Sequence, residues 1–370
     1  MSADRIRAAR ELLGMSQEQL SSAAGISQAL ISQIENGNRA ATDQTLDAVI
    51  SGTGLPKQFF ARDPDPLATG SLRFRKYRSA PARATVRAKR TFIELFDIAA
   101  LLMDWADRPK PSLPRAAETT TLDAIEHFAD ETRARMGLGP SEPIGHLTRA
   151  LERASVPVAP IAFVDLSGEE SDEFAALGHF GLSACDRASG RASIGYFASS
   201  GDRQRFTLAH ELGHIVLHTE GSPEPSAAEL EADQFAGAFL FPRVARSEFR
   251  RDPTLRDFAH LKARWGVSIQ ALVMRAAALG AIDELRRVSL YKQISARGWR
   301  HNEPVLVSPE EPLLLGALLA QRYGQQRSAY TRAAADLGIP AVYLRAVVPL
   351  QDSGQSSDGT TGARILALGR

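Results

Sequence analysis

The sequence predicts an α+β protein that is mainly α-helical and contains a small antiparallel sheet. Apolar residues recur at helical spacing over most of the 370 residues. Only three short runs, between residues 156 and 199, are rich in β-forming residues and bounded by Gly, Ser and Asp. The length suits about two to three domains, and 44% hydrophobic residues can supply a core for each of them.

Charge and cysteine content narrow the class of protein. Lys and Arg number 44 and Asp and Glu number 43, so the formal net charge of +1 indicates no class of partner. A single cysteine, Cys185, argues against a disulfide-stapled secreted domain. No run approaches about 18 uncharged apolar residues, and the charged N-terminus lacks the apolar centre of a signal peptide. We therefore expect a cytoplasmic protein with no membrane partner.

The N-terminal segment carries the pattern of a helix-turn-helix domain. It contains five short helical runs: RIRAARELLG, SQEQLSSAAG, SQALISQIENG, TDQTLDAVISGTG and PKQFF. Ser16 precedes the second run with Gln19 at the capping-box spacing, and Gly25 permits a tight turn before the helix that Ser27 caps. Such a turn lets the second helix lie in the DNA major groove. The stretch SQEQLSSAAGISQALISQIENGNR resembles the phage-repressor type of helix-turn-helix domain, the XRE (Cro/C1) type, over about residues 4–60.

The residues expected to contact a double-stranded DNA operator lie on the exposed face of the second helix or flank it. They are Gln17, Ser27, Gln28, Ala29, Ser32, Gln33 and Arg39. The polar side chains on the helix can hydrogen-bond base edges and Ala29 can contact a thymine methyl, whereas Gln17 and Arg39 suit phosphates. Two-fold operators favour a homodimer. The alternative is that this face is only the solvated side of a helical bundle that contacts other proteins.

A basic linker is expected over residues 61–90. Residues 1–90 hold 14 basic and 8 acidic side chains, so the remainder of the chain carries a net charge of −5. Residues 72–90 alone contain eight basic side chains and no acid. Because the predicted recognition helix has no Lys or Arg between Ser27 and Asn38, this run is a candidate for tracking the phosphate backbone. The alternatives are a solvated linker and a docking surface for the acidic C-terminal part.

The sequence His210-Glu211-Leu212-Gly213-His214 predicts a zinc site. Positions i and i+4 of a helix share one face, so both imidazoles can reach one Zn²⁺ while Glu211 projects beside the open coordination position. The alternative, two histidines on the polar face of a surface helix, does not explain why the rest of this helix is apolar. His218 lies one further turn along and is a poor ligand by helix geometry, so a polar or packing role is expected for it.

A second helix supplies the expected third ligand. In AAELEADQFAGAFLFP, Glu229 and Asp233 are four residues apart and share a face, whereas Glu231 lies about 200° round the helix from Glu229. We expect Glu229 to be a metal ligand. Asp233 is the expected hydrogen-bond acceptor for an imidazole N–H.

These two segments resemble known metallopeptidases. The spacing of Glu229 and Asp233 is similar to the E-x-x-x-D arrangement of the gluzincins. RFTLAHELGHIVLH followed by ELEADQFAGAFLFP resembles the ImmA/IrrE family, over about residues 150–280. The resemblance implies a zinc metallo-endopeptidase with one Zn²⁺ per chain, for which Mn²⁺ is a second activating metal. Glu211 would be the catalytic base toward a water whose pKa Zn²⁺ lowers to about 7.

Two functions follow from the combination of motifs. The first is a DNA-binding transcriptional regulator whose peptidase domain hydrolyses a peptide bond in itself or in a helix-turn-helix repressor. The resemblance implies a link to stress or mobile-element signalling. The alternative is a non-catalytic transcription factor whose peptidase-like domain senses zinc or another ligand; an antitoxin-like module shares the same N-terminal fold. No oxyanion-stabilising residue is assigned, and Arg205, His260 and Tyr291 are candidates.

The expected boundaries divide the chain into five parts. They are a helix-turn-helix domain (1–60), the basic linker (61–90), a gluzincin-like metallopeptidase domain (91–285, with its core at 150–280), a helical C-terminal region (286–350) and a flexible tail (351–370). The linker is the segment expected to be cut if the chain cleaves itself. The C-terminal helices, from residue 310 to about residue 348, are expected to pack against the peptidase-like domain.

Overall fold

A computed structural model describes residues 3–62, 72–75, 82–116, 121–163, 181–218, 224–350 and 364–365. The helices described are α1 (Ala3–Leu12), α2 (Gln17–Ala24), α3 (Gln28–Glu35), α4 (Asp43–Thr53), α5 (Lys57–Ala61), α6 (Ala82–Trp105), α7 (Leu122–Arg135), α8 (Leu147–Arg153), α9 (Gly201–Leu217), α10 (Pro225–Leu240), α11 (Leu255–Trp265), α12 (Ile269–Ala278), α13 (Glu284–Ala296), α14 (Leu314–Tyr323), α15 (Ser328–Leu337) and α16 (Ala341–Val347). The strands described are β1 (Leu72–Arg75), β2 (Val158–Pro160), β3 (Gly181–Cys185), β4 (Ala192–Tyr196), β5 (Val305–Leu306) and β6 (Arg364–Ile365). The predicted α+β class, mainly helical, is confirmed.

The chain forms two compact units, each assembled from separated segments. Unit 1 takes residues 1–109, 157–186 and 313–356, and unit 2 takes residues 110–156, 187–312 and 357–370. These units divide the chain differently from the expected boundaries. Helix α6 and the segment with β2 and β3 fall outside the unit that holds α9, and so do α14 to α16. Local periodicity locates a helix but does not show which core it joins.

The five N-terminal helices of unit 1 match the predicted pattern. Ser16 Oγ accepts a hydrogen bond from Gln19 N at 3.1 Å, and Gln19 Oε1 accepts one from Ser16 N at 2.9 Å, which completes a capping box at the start of α2. Gly25 ends α2 at φ 64°, a left-handed conformation that glycine adopts without steric cost. Leu20, Ile31 and Ile34 are buried, so α2 and α3 pack closely around the turn.

Helix α6 overlaps the segment predicted as a linker. It begins at Ala82, within the segment expected to be a linker over 61–90. Its buried Glu94 pairs with Arg5 of α1 at 2.9 Å and with Arg62, just after α5, at 2.7 Å. A carboxylate held between two guanidinium groups explains why α6 packs on the N-terminal helices, since leaving any of these charges buried and unpaired would be costly.

A short strand also lies within the predicted linker. β1 pairs antiparallel with β3, with Leu72 opposite Ala184 and Arg75 opposite Gly181. The remaining residues of the predicted linker, 63–71 and 76–81, lie outside the described part of the chain. The segment predicted as a linker therefore contains β1 and the first turns of α6.

The C-terminal helices α14 to α16 join unit 1. The Tyr343 hydroxyl donates a hydrogen bond to Leu12 O at 3.3 Å, at the end of α1, and the Tyr330 hydroxyl donates one to Val348 O at 3.0 Å. Both tyrosines are buried. Within unit 1 these helices contact α1 and α5, whereas the sequence led us to expect contacts with the peptidase-like domain.

Unit 2 is built around α9 and α10, which pack on each other and on α7. Its core contains buried aromatic side chains, among them Phe235, Phe239 and Trp265. β5 pairs antiparallel with β6, with Val305 opposite Ile365. The strand β6 lies in the predicted flexible tail, and the rest of that tail is outside the described residues.

Among the described residues, none of the helices is both long enough and apolar enough to cross a membrane.

Candidate metal centre and nucleic-acid interface

Helix α9 is buried along almost its whole length. His210 and Glu211 have 0% exposure. Near the start of the helix, Asp202 pairs with buried Lys262 at 2.8 Å, and the Gln204 side chain exchanges hydrogen bonds with the backbone of Glu310 at 2.9 and 2.6 Å. These contacts fix the position and rotation of α9. Burying a polar side chain costs free energy unless it is hydrogen-bonded or ion-paired, and both Asp202 and Gln204 are paired.

The carboxylate of Glu310 is the main ionic anchor of α9. It accepts a hydrogen bond from Thr148 N at 2.6 Å and pairs with Arg205 of α9. Burial by itself would raise the pKa of Glu310, but hydrogen bonding with His146 and the charge of Arg205 outweigh it and lower the pKa to about 2. The group is therefore ionised at neutral pH, and it stabilises unit 2 in that form.

A glycine allows α10 to approach α9 closely. A Cβ atom at position 213 would lie 3.0 Å from Phe235 Cδ1 and 3.3 Å from Ala232 Cα, so a larger residue would push the helices apart. The far end of α10 is held by two buried arginines. Arg133 donates to Phe239 O at 2.7 Å, and Arg275 donates to Phe241 O at 2.8 Å. The separation of the two helices is thus set by packing and by backbone contacts.

The structure brings His210, His214 and Glu229 together. The Nε2 atoms of the two histidines are 3.1 Å apart. Glu229 Oε2 lies 3.4 Å from His210 Nε2, and its Oε1 lies 3.5 Å from His214 Nε2. All three donor atoms lie within 4.8 Å of one another. Two imidazole nitrogens and one carboxylate oxygen at this spacing fit the three protein ligands of a catalytic zinc site.

The carboxylate of Glu229 is held in its charged form. Partial burial would raise the pKa of Glu229, but the hydrogen bonds and charges of His210 and His214 outweigh burial and hold the pKa well below its usual range. The side chain is 39% exposed, in contrast to the two buried histidines. Access to the donor set is therefore from the side of α10 that carries Glu229.

Each histidine has a second partner at its other ring nitrogen. His210 Nδ1 lies 2.8 Å from Asp233 Oδ1, in the arrangement expected from the sequence. His214 Nδ1 lies 2.9 Å from His218 Nδ1, and His218 Nε2 lies 3.0 Å from Glu231 Oε2. Partners of this kind fix the tautomer and orientation of a metal-binding imidazole.

Sequence reasoning missed the pair formed by His218 and Glu231. Both side chains are buried, and neither belongs to the donor set. If His214 offers its Nε2 lone pair to a metal, its Nδ1 carries the hydrogen and His218 Nδ1 accepts it; His218 Nε2 then donates to Glu231. The clue was present in the sequence. His218 follows His214 by four residues, so the two side chains share one face of α9.

The candidates for oxyanion stabilisation have other partners. Arg205 donates to Ile144 O at 2.6 Å and pairs with Glu310. The Tyr291 hydroxyl donates to Gln270 O at 3.1 Å. His260 is exposed on α11. Arg205 and Tyr291 therefore have structural contacts, and the oxyanion position stays unassigned.

The predicted DNA-contacting residues cluster around α3. Five of them are exposed: Ser27, Gln28, Ala29, Gln33 and Arg39. Ser32 is half-buried, and Ser27 Oγ caps α3 by accepting from Leu30 N at 3.3 Å. Gln17, at the start of α2, donates to Glu35 Oε2 at 3.0 Å. Glu35 also pairs with Arg10 at 2.6 Å, so the amide of Gln17 is oriented by a half-buried ionic network.

The structure thus combines a helix-turn-helix arrangement in α2 and α3 with a cluster of two histidines and one glutamate that could hold a metal ion. Residues 6–60 match the helix-turn-helix family model. Residues 197–277 match the peptidase-family model described as the IrrE N-terminal-like domain, a range that holds His210, Glu211, His214, Glu229 and Asp233. The predicted fusion of these two domains is confirmed. No curated protein gives a significant match to the chain.

Proposed function

We propose that this chain is a DNA-binding transcriptional regulator whose unit 2 is a zinc-dependent metallo-endopeptidase. It would hydrolyse a peptide bond in itself or in a partner helix-turn-helix repressor, in response to stress or mobile-element signalling. The peptidase-family match to residues 197–277 supports this proposal. The observation that carries it is the donor set of His210, His214 and Glu229 beside the buried Glu211.

The residues of the site divide the work of hydrolysis. His210 Nε2, His214 Nε2 and Glu229 would hold one metal ion per chain, Zn²⁺ or Mn²⁺. When bound, Zn²⁺ supplies Lewis acidity that activates a water and polarises the scissile carbonyl. The Glu211 carboxylate would take a proton from the attacking water and deliver it to the nitrogen of the leaving amine as the C–N bond breaks. A purely structural zinc site would not need Glu211, which favours hydrolysis over metal sensing alone.

DNA binding is proposed for α3 and its flanks. The exposed Gln28 and Gln33 lie on the recognition helix, with Arg39 shortly after it. Their amides can reach base edges in the major groove, and the guanidinium suits a phosphate. Binding as a homodimer to a two-fold operator is part of the proposal, since helix-turn-helix proteins of this type pair with symmetric sites.

The test of the peptidase proposal combines metal content with fragment analysis. Purified wild-type chain, Glu229→Ala and Glu211→Gln are loaded with Zn²⁺ or Mn²⁺, analysed for metal, and incubated alone and with a helix-turn-helix repressor. We expect about one ion per wild-type chain, loss of the ion in Glu229→Ala, and a cleavage product that Glu211→Gln does not form. Mass analysis of the fragments locates the bond that is cut.

Other outcomes separate the alternatives. A wild-type chain that binds metal but cuts neither itself nor the repressor, and whose DNA affinity changes with metal, would indicate a non-catalytic sensor. A wild-type chain that binds no metal after loading would exclude the peptidase proposal and leave a DNA-binding regulator.

A further inference from the structure

In the part of the basic run that α6 contains, residues 82–90, the arginines are of two kinds. Arg87 and Arg90 are buried, and they bond to the end of α1: Arg87 Nε donates to Leu12 O at 3.2 Å, and Arg90 Nε lies 3.3 Å from Glu11 Oε2. These two side chains attach α6 to α1. Arg83, one turn earlier on α6, is exposed.

Arg83 is bonded to neutral acceptors. Its Nε donates to Gly14 O, and its NH2 group donates to Gln19 Oε1 at 2.8 Å. A guanidinium has five N–H donors, and the other three have no hydrogen-bond partner among the described residues. The side chain makes no ion pair with a described carboxylate, so its positive charge is not neutralised by the part of the chain that the structure covers.

The acceptor at Gln19 places this charge at the start of α2. The same Gln19 Oε1 atom accepts from Ser16 N in the capping box, next to Gln17. In helix-turn-helix docking the first helix of the motif crosses the DNA backbone, and helix N-termini there contact phosphates. The positive end of the helix dipole adds to the attraction. The recognition helix itself contributes no Lys or Arg between Ser27 and Asn38.

We propose that Arg83, on α6 and outside the matched helix-turn-helix range, contacts a DNA phosphate at the N-terminal end of α2. The inference rests on the proposed DNA binding of α2 and α3 and adds a residue to that surface. Helix α6 would then extend the DNA-binding surface beyond residue 60. The hydrogen bonds to Gly14 and Gln19 orient the guanidinium toward the backbone, and the free N–H groups bind the phosphate oxygens.

The test measures the salt dependence of DNA binding by the full-length chain. Wild type, Arg83→Gln and Arg83→Lys are titrated onto a short duplex of arbitrary sequence at several salt concentrations, and binding is followed by fluorescence anisotropy. Each phosphate contact contributes about 0.9 to the slope of log K against log salt. We expect Arg83→Gln to lower the slope by about one per bound chain and to weaken binding equally on all sequences. Arg83→Lys keeps the charge and should keep most of the slope.

The controls distinguish a phosphate contact from other roles. Arg256→Gln removes one exposed charge from unit 2 and should leave the slope unchanged. An unchanged slope in Arg83→Gln, an equal loss in Arg256→Gln, or an equal loss in Arg83→Lys would each overturn the inference. A wild-type chain that does not bind DNA at any salt concentration would instead overturn the proposed DNA binding. Thermal unfolding confirms that the variants fold.

Discussion

Helices α3 and α9 use polar side chains in opposite ways. On α3, Gln28 and Gln33 are exposed, with their donors and acceptors facing solvent. On α9, His210 and His214 are buried, and each is bonded at Nδ1 to a neighbour. The proposed ligands of the two helices account for the contrast. A metal ion needs donors held in place before it arrives, whereas a DNA surface supplies the partners that exposed amides lack.

The largest expected effect separates chemistry from metal binding on α9. Glu211→Gln removes the proton acceptor but leaves His210, His214 and Glu229 in place. We expect hydrolysis to slow by about 10²- to 10⁴-fold while metal content stays at the wild-type level. Rates of fragment formation, measured beside elemental analysis, check this. Gln28→Ala on α3 is the matched control and should hydrolyse at the wild-type rate; loss of metal from Glu211→Gln would contradict the assigned role.

Acid should weaken the contacts that Glu310 makes with α9. The pKa of Glu310 is about 2 in the folded chain, against an ordinary value of 4.5. A carboxylate with a lowered folded pKa contributes stability above its unfolded pKa and loses it as the pH falls through the folded value. We therefore expect this group's contribution, about 3 kcal/mol of unfolding free energy, to disappear between about pH 5 and pH 2.

Urea unfolding at several pH values tests that expectation. Glu310→Gln should be less stable than wild type at neutral pH and should lose less stability on acidification. Glu284→Gln, which changes an exposed carboxylate of α13, should keep the wild-type dependence on pH. A Glu310→Gln variant with the same pH dependence as wild type would show that other carboxylates account for the acid sensitivity.

The partners of the imidazoles on α9 are expected to tune metal affinity. Glu231→Leu removes the acceptor for His218 Nε2 and so releases the orientation of His214. We expect a loss of about 10- to 100-fold in metal affinity, measured by competition with a chromogenic chelator. Glu231→Gln retains an amide oxygen that accepts the same hydrogen bond and should lose less. Equal losses in both variants would indicate that the charge, not the hydrogen bond, is what His218 requires.

The smallest expected effect concerns α3. Gln28→Ala removes one side chain that can pair with a base edge, at an expected cost of about 1–3 kcal/mol on the preferred operator and little on other sequences. Selection from a random duplex pool, followed by titration at fixed salt, measures this. The slope of binding against salt should not change. Equal weakening on all sequences would indicate that Gln28 contacts a phosphate and does not read a base edge.

How much of the structure the sequence predicts depends on how far apart the interacting residues lie along the chain. The spacings of His210 with His214 and of Glu229 with Asp233 are local, and helix geometry alone places each pair on one face. The contact between His218 and Glu231 joins α9 and α10. The sequence does not show how these two helices are rotated about their axes relative to each other. The Arg5–Glu94 ion pair joins residues 89 positions apart. Such pairings decide which core α6 enters, and periodicity does not reveal them.

Unit 1 is assembled from separated segments of the chain, and this affects what cleavage of one peptide bond would release. A cut within residues 61–90 would leave α1 to α5 attached to α6 through the buried Arg5–Glu94 pair and to α16 through Tyr343. The nicked chain would resemble a protein reassembled from complementary fragments. Release of the helix-turn-helix segment would then be governed by the rate at which those fragments separate, which is an unfolding rate and not the rate of hydrolysis.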